Sequence, residues 1–120
     1  MVAMVAMVLA TAAPAFAVNK QCGSRPCEGT NNPDVLFERG GDGINDVIYG
    51  LRGGDRINAD RFRDDIDKLF GGRGGDTLNA DDGDTLDGGA GTDVCSGDAG
   101  DTFVDCETVF IDGVEQVPAA

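Results

Sequence analysis

The chain has 120 residues and a formal net charge of −13, and 18 of its 22 acidic residues are aspartate. About 103 residues follow the leader described below, which is enough for one small domain and excludes a large buried core. Such a negative chain would be repelled by phosphates, so nucleic acid is excluded as a partner. Disordered acidic chains are typically rich in glutamate, and the preference for aspartate argues against that class.

The first element is a leader, residues 1–17, that contains no charged residue and ends in Ala15-Phe16-Ala17. Small residues at that spacing predict a signal peptide cleaved before Val18, although the positive charge that usually opens such a signal is missing. A membrane anchor is the alternative, but the apolar run is shorter than the ~20 residues that a bilayer span needs. We therefore expect an extracellular, secreted protein with no membrane span in its mature form.

Four cysteines flank the central part of the chain. They are Cys22, Cys27, Cys95 and Cys106. An even number in an exported chain predicts disulfides, and three pairings are possible. Proximity in sequence favours one bridge at each end, Cys22 with Cys27 and Cys95 with Cys106. A zinc site is disfavoured, because the chain has no histidine and neither pair has the C-x2-C spacing.

One pattern occurs eight times in the central part: an aspartate, a variable residue, then an apolar residue. The aspartates are Asp34, Asp46, Asp55, Asp67, Asp76, Asp84, Asp93 and Asp101. The apolar residues are Leu36, Ile48, Ile57, Leu69, Leu78, Leu86, Cys95 and Phe103. The aspartates are 12, 9, 12, 9, 8, 9 and 8 residues apart. This alternation between two classes of connection predicts a coil with two different edges.

Each repeat offers about three strand residues and then a turn, and no helical period of apolar residues occurs. Strands this short bury a face only by stacking on neighbouring coils, as in a solenoid. One sheet would then point Leu36, Ile57, Leu78 and Cys95 inward, and the other Ile48, Leu69, Leu86 and Phe103. We predict an all-β parallel solenoid of about four two-stranded coils over 29–104, preceded by a disulfide-capped lead-in, 18–28, and followed by a cap and tail, 105–120.

The two predicted edges differ in their turns. On the regular edge the connections are 29–34, 50–55, 71–76 and 88–93, and the last three are rich in glycine. On the irregular edge, two connections are expanded, 39–46 and 59–67, and two are contracted, 80–84 and 97–101. Because Arg52 and Arg73 occupy the same place in successive regular turns, we expect them to stack. We also expect the two edges to differ in function.

Glycine and aspartate in these turns favour a calcium site. Glycine permits backbone with φ > 0 and lets carbonyl groups point at an ion. Stacked turns with their carboxylates supply the 6 to 8 oxygens that calcium takes, whereas magnesium needs stricter octahedral geometry. On the regular edge the predicted ligands are Asp34, Asp55, Asp76 and Asp93 with Gly50, Gly53, Gly71, Gly72, Gly74, Gly88, Gly89 and Gly91. On the irregular edge, where we expect weaker binding, they are Asp46, Asp67, Asp84 and Asp101.

These turns resemble the RTX (repeats-in-toxin, haemolysin-type) family, whose nonapeptide is G-G-x-G-x-D-x-U-x. The best match is 88–96, followed by 71–79 and by 50–58, in which Leu51 replaces the second glycine. The resemblance implies a right-handed parallel β-roll, calcium held between successive turns by aspartate carboxylates and backbone carbonyls, and disorder without calcium. The chain departs from the family in one expanded turn, where 61–63 replace glycine, and in its contracted turns.

Catalysis finds little support in the residues. The chain has no histidine or tryptophan and no nucleophile beside a plausible base. Adjacent carboxylates such as Asp64 with Asp65 would need a substrate cleft, which a thin roll does not offer. We expect no enzyme but a secreted calcium-ion-binding protein that folds on binding Ca2+. The alternative is a calcium-stabilised accessory or targeting module of a secreted enzyme or adhesin system, and the sequence identifies no protein or glycan partner.

Overall fold

The computed structural model describes residues 16–23, 26–38, 45–59 and 65–117, and in these ranges every regular element is a strand. The predicted leader lies almost entirely outside the described residues. None of the described segments forms a helix that could span a bilayer. The strands are β1 (Asn19–Cys22), β2 (Cys27–Glu28), β3 (Val35–Glu38), β4 (Val47–Arg52), β5 (Arg56–Ala59), β6 (Lys68–Arg73), β7 (Thr77–Ala80), β8 (Thr85–Ala90), β9 (Val94–Gly97), β10 (Thr102–Val104), β11 (Thr108–Ile111) and β12 (Val114–Glu115).

From β1 to β11, successive strands alternate between two sheets, as in a coil. The odd sheet has the order β1-β3-β5-β7-β9-β11-β12 and the even sheet the order β10-β8-β6-β4-β2. All pairs are parallel except β11 with β12. The predicted all-β solenoid is thus confirmed. Within the described residues it has five two-stranded coils, one more than predicted, because β1 and β2 pair with β3 and β4 and complete an extra coil.

The two predicted apolar columns form the core. In the odd sheet, Leu36, Ile57, Leu78 and Cys95 follow one another in register. In the even sheet, Ile48, Leu69, Leu86 and Phe103 do the same. All are buried except Phe103, which is partly exposed at the end of its column. Side chains alternate between the faces of a strand, so an apolar residue two places after each aspartate always points inward.

The ends of the solenoid are closed by covalent and backbone bonds. The disulfides are Cys22–Cys27 and Cys95–Cys106, which confirms the predicted pairing. At the C-terminal end, Asp112 and Gly113 have φ of 51° and 77° and form the tight turn of a hairpin between β11 and β12. The antiparallel β12 covers the edge of β11, which would otherwise be open to pairing with another chain.

Candidate metal centre

Buried aspartates connect the coils on both edges. On the regular edge, the backbone N–H groups of Asp34, Asp55 and Asp76 donate to Oδ1 of the aspartate one coil further along, at 2.8, 2.7 and 2.7 Å. The irregular edge repeats the arrangement, with Asp46 donating to Asp67, Asp67 to Asp84 and Asp84 to Asp101. One oxygen of each of these carboxylates therefore accepts a hydrogen bond that holds two coils in register.

The second oxygen distinguishes the glycine-rich turns of the regular edge from the contracted turns of the irregular edge. Oδ2 of Asp55, Asp76 and Asp93 is buried and accepts no hydrogen bond. Each oxygen lies beneath the first glycine of its own turn, so that a β-carbon on Gly50 or Gly71 would overlap it. Burying a charged acceptor without a partner costs free energy. Three orphaned carboxylate oxygens, one in each successive turn, are the donor atoms that a bound cation would satisfy.

Glycine is required where these turns stack. Gly74 and Gly91 have φ of +133° and +135°, and a β-carbon on either would overlap the carbonyl oxygen of the turn before it, that of Gly53 or Gly74. Carbonyl groups of one turn are thus brought against the backbone of the next. Leu51, which replaces the second glycine in its repeat, keeps the left-handed conformation with φ of 82° and pairs in register with Gly72. The turn geometry therefore survives the substitution.

The outer turns of the regular edge satisfy their carboxylates with protein donors. The backbone N–H and the hydroxyl of Thr30 both donate to Oδ2 of Asp34. At the other end, Glu107 takes the place of a turn aspartate, and its Oε2 accepts the N–H of Asp93 at 2.7 Å. Among the predicted regular-edge aspartates, Asp34 is accordingly the one whose second oxygen needs no cation.

The contracted turns of the irregular edge also satisfy both oxygens. Oδ2 of Asp84 accepts the N–H of Asp81 at 3.2 Å, and Oδ2 of Asp101 accepts the N–H of Asp98 at 2.6 Å. Oδ1 of Asp101 receives two N–H groups, those of Gly83 and Asp84, at 2.8 Å each. A short turn folds its own backbone onto the carboxylate, so that both oxygens of Asp84 and of Asp101 accept at least one N–H group.

Burial makes ionisation of these carboxyl groups unfavourable. It raises the pKa of Asp55 to about 6 and that of Asp84 to about 7, even though backbone hydrogen bonds act in the opposite direction. Burial also raises the pKa of Asp76 and of Asp93. Without a cation, the folded chain must hold costly charges or take up protons.

The irregular edge holds an acidic cluster that the sequence predicted only in part. One carboxylate oxygen each of Glu38, Asp65 and Asp67 lies within 4.8 Å of the others, and all three side chains are buried. Asp67 was a predicted ligand, whereas Glu38 and Asp65 were not. A signal was available for Glu38, because it is two residues after the inward Leu36 and so falls on the core face of its strand. The departure from the family at 61–63 lies outside the described residues.

The donor set fits calcium, since the orphaned atoms are carboxylate oxygens within stacked turns of close-packed carbonyl groups. Comparison with family models matches the RTX calcium-binding nonapeptide repeat, in four copies, at residues 39–66, 63–84 and 71–104. Together these matches cover more than half of the chain. No curated protein and no solved structure matches the chain significantly. The repeats, the parallel solenoid and the glycine-aspartate turns agree with the family match, and the chain belongs to the RTX calcium-binding nonapeptide repeat family.

Proposed function

We propose that the protein is a secreted calcium-binding β-roll whose folding depends on Ca2+. The observation that carries the proposal is the row of buried Oδ2 atoms on Asp55, Asp76 and Asp93, which accept no hydrogen bond in three successive glycine-rich turns. Calcium bound there would supply positive charge to these oxygens. The side chains of the turns would supply carboxylate ligands, and the glycines allow the close approach of backbone carbonyls.

Dependence of folding on calcium follows from the balance between charge and core. Among the residues that the structure describes, ten acidic side chains are buried, in a chain of net charge −13. Its core consists of single columns of modest apolar residues, which compensate poorly for buried charge. Because the turns form only when the coils stack, free energy of ion binding is also free energy of folding. We expect dissociation constants of ~10⁻⁴ to 10⁻³ M, the range of extracellular calcium modules.

Export and a non-catalytic role are parts of the same proposal. The apolar segment 1–17 and the pairing of all four cysteines support secretion, because disulfides persist in oxidising compartments. The buried carboxylates support a structural role, because the coil-to-coil bonds and the proposed ions already account for them. Amino-terminal sequencing of the exported protein would test the cleavage site, for which Val18 is the expected first residue.

A calcium titration followed by far-ultraviolet circular dichroism tests the proposal. In excess chelator we expect the spectrum of a largely disordered chain, and in millimolar calcium a β-rich spectrum. Magnesium at the same concentration is the matched control and should order the chain much less, because it demands octahedral geometry and releases water reluctantly. An equally β-rich spectrum in chelator and in calcium would contradict the proposal.

A further inference from the structure

The acidic cluster of the irregular edge lies between two neighbouring coils. Glu38 is the last residue of β3 in the second coil, whereas Asp65 and Asp67 belong to the connection between β5 and β6 in the third. The three side chains are 1%, 3% and 0% exposed. One oxygen from each lies within 4.8 Å of the others. Residues that are far apart in sequence therefore bring three carboxylates to one buried point.

Glu38 is the member of the cluster whose situation calls for a ligand. Neither of its carboxylate oxygens accepts a hydrogen bond, although the side chain is almost completely buried. Burial and the carboxylates of Asp67, Asp65, Asp46 and Asp81 raise the pKa of Glu38 to about 8. Burying the charge of such a glutamate without a partner costs free energy, and buried charges are therefore normally paired or bound to a metal.

The inward residues in register with Glu38 are small or disulfide-bonded. Cys22, which precedes Glu38 in register, is tied into the Cys22–Cys27 disulfide. The corresponding inward residues of the next two coils are Ala59 and Ala80, which pair in register with each other. Glu38 therefore has small alanines on one side of it in the column and a disulfide on the other, and neither is a long side chain. The glutamate is thus an exception in a column that otherwise needs no charge.

We propose that Glu38, Asp65 and Asp67 form a separate calcium-ion site, built from side-chain carboxylates of two neighbouring coils. The donor set is oxygen only and carries more negative charge than one divalent ion neutralises, which suits a hard cation. Calcium holds its ligands at roughly 2.3–2.6 Å, so two oxygens on opposite sides of one ion are about 5 Å apart. The oxygens of the cluster, all within 4.8 Å of one another, lie inside that span.

This site differs in construction from the glycine-aspartate turns. Its ligands include two residues outside the repeated aspartate positions, Glu38 and Asp65, and it requires no left-handed glycine. The inference therefore does not rest on the function proposed for the regular edge. It implies that an expanded turn of the irregular edge contributes an ion site of its own, so that calcium would bind both edges of the roll.

Counting bound calcium on the full, disulfide-intact protein tests the site. Equilibrium dialysis against calcium chloride should give one ion fewer per chain for Glu38→Gln and for Asp65→Asn than for the unmodified protein. Asp82→Asn is the matched control, because it removes one charge from an exposed acid on the same edge and should leave the count unchanged. Glu38→Ala, which copies the residue of the next two coils, is a second variant in case Glu38→Gln does not fold.

Thermal unfolding separates the possible roles of Glu38. If Glu38 binds calcium, Glu38→Gln should lower the melting temperature in saturating calcium, and should raise or preserve it in calcium-free solution near about pH 4, where neutral carboxyl groups favour the calcium-free fold. A merely structural, protonated glutamate predicts a higher or equal melting temperature in both conditions. If Glu38 instead pairs with an arginine of the expanded connections, Glu38→Gln should lower the melting temperature equally in both conditions.

Either of those results, or an unchanged ion count in any folded variant, would overturn the site. Failure of calcium to order the unmodified chain would overturn the proposed function alone.

Discussion

The glycine-rich turns of the regular edge and the contracted turns of the irregular edge use the same aspartate ladder but differ in the hydrogen bonding of the second carboxylate oxygen. In the glycine-rich turns of Asp55, Asp76 and Asp93 that oxygen is buried without a hydrogen bond. In the contracted turns of Asp84 and Asp101 a backbone N–H of the turn itself satisfies it. In the contracted turns the N–H three residues before the aspartate, that of Asp81 or Asp98, reaches the second oxygen of the carboxylate, whereas no N–H does so in the three glycine-rich turns. Coil stacking and the proposed ion binding thus use different oxygens of one residue.

The largest difference between the edges should come from glycine substitutions. Gly74→Ala places a β-carbon on the carbonyl oxygen of Gly53 at φ of +133°, and combined strain and overlap should cost about 3 kcal/mol or more. Gly83→Ala is the matched control, because φ is +97° but the nearest atom, on Ile66, is 3.9 Å away. Its cost should be about 1 to 2 kcal/mol of backbone strain. Urea unfolding in saturating calcium measures both, and equal losses would contradict the comparison.

Aspartate substitutions should separate ion binding from stacking. Asp76→Ala and Asp84→Ala each remove a ladder bond, of 2.7 and 2.8 Å. Only Asp76 also has an orphaned oxygen, so its loss should raise the calcium midpoint for folding several-fold, since a charged ligand contributes more than about 1 kcal/mol. Asp84→Ala should shift the midpoint less. Circular dichroism at fixed ionic strength gives both midpoints, and a larger shift for Asp84 would reverse the assignment of the edges.

Acidification should partly replace calcium. Burial raises the pKa of Asp55 to about 6, of Asp84 to about 7 and of Glu38 to about 8, whereas unfolded carboxyl groups titrate near about 4. The neutral carboxyl groups therefore stabilise the calcium-free fold at pH values below the pKa of the unfolded chain. This stability is lost as the pH rises through the pKa values of the folded protein. Calcium-free protein should be more β-rich near the unfolded pKa than at pH values above that of Glu38. A pH series of circular dichroism spectra would show this, and greater order at high pH would contradict it.

The smallest effect should come from the exposed arginines of the regular edge. Arg52 and Arg73 pair in register, as expected from their place in successive turns, and their positive charges oppose a nearby cation. Arg73→Gln should therefore lower the calcium midpoint, by less than about twofold at low ionic strength, and the difference should vanish in about 0.5 M salt. Lys68→Gln, which starts a strand from the irregular edge, is the control. A salt-independent shift would indicate a structural role for Arg73 instead.

The sequence by itself determined the coil, its register and its core. Leu36, Ile57 and Leu78 follow their aspartates at a constant distance, and because a strand has a two-residue period this spacing dictates which side chain points inward. The disulfide partners were predictable for a related reason, since each cysteine pair is near in sequence and belongs to one end of the solenoid. The local period of the sequence is enough to predict these features, because every coil repeats the same aspartate-to-apolar spacing.

Only the tertiary structure decided which oxygens lack partners and which acids meet. The spacing of Asp84 showed that its turn is short, but not that the N–H of Asp81 reaches its carboxylate. Glu38 and Asp65 are 27 residues apart in sequence and come together only because they belong to neighbouring coils, in which β3 pairs with β5. Hydrogen bonding and ion coordination depend on distances between neighbouring coils. Those distances are set by how turns of unequal length pack, and a one-dimensional pattern does not contain them.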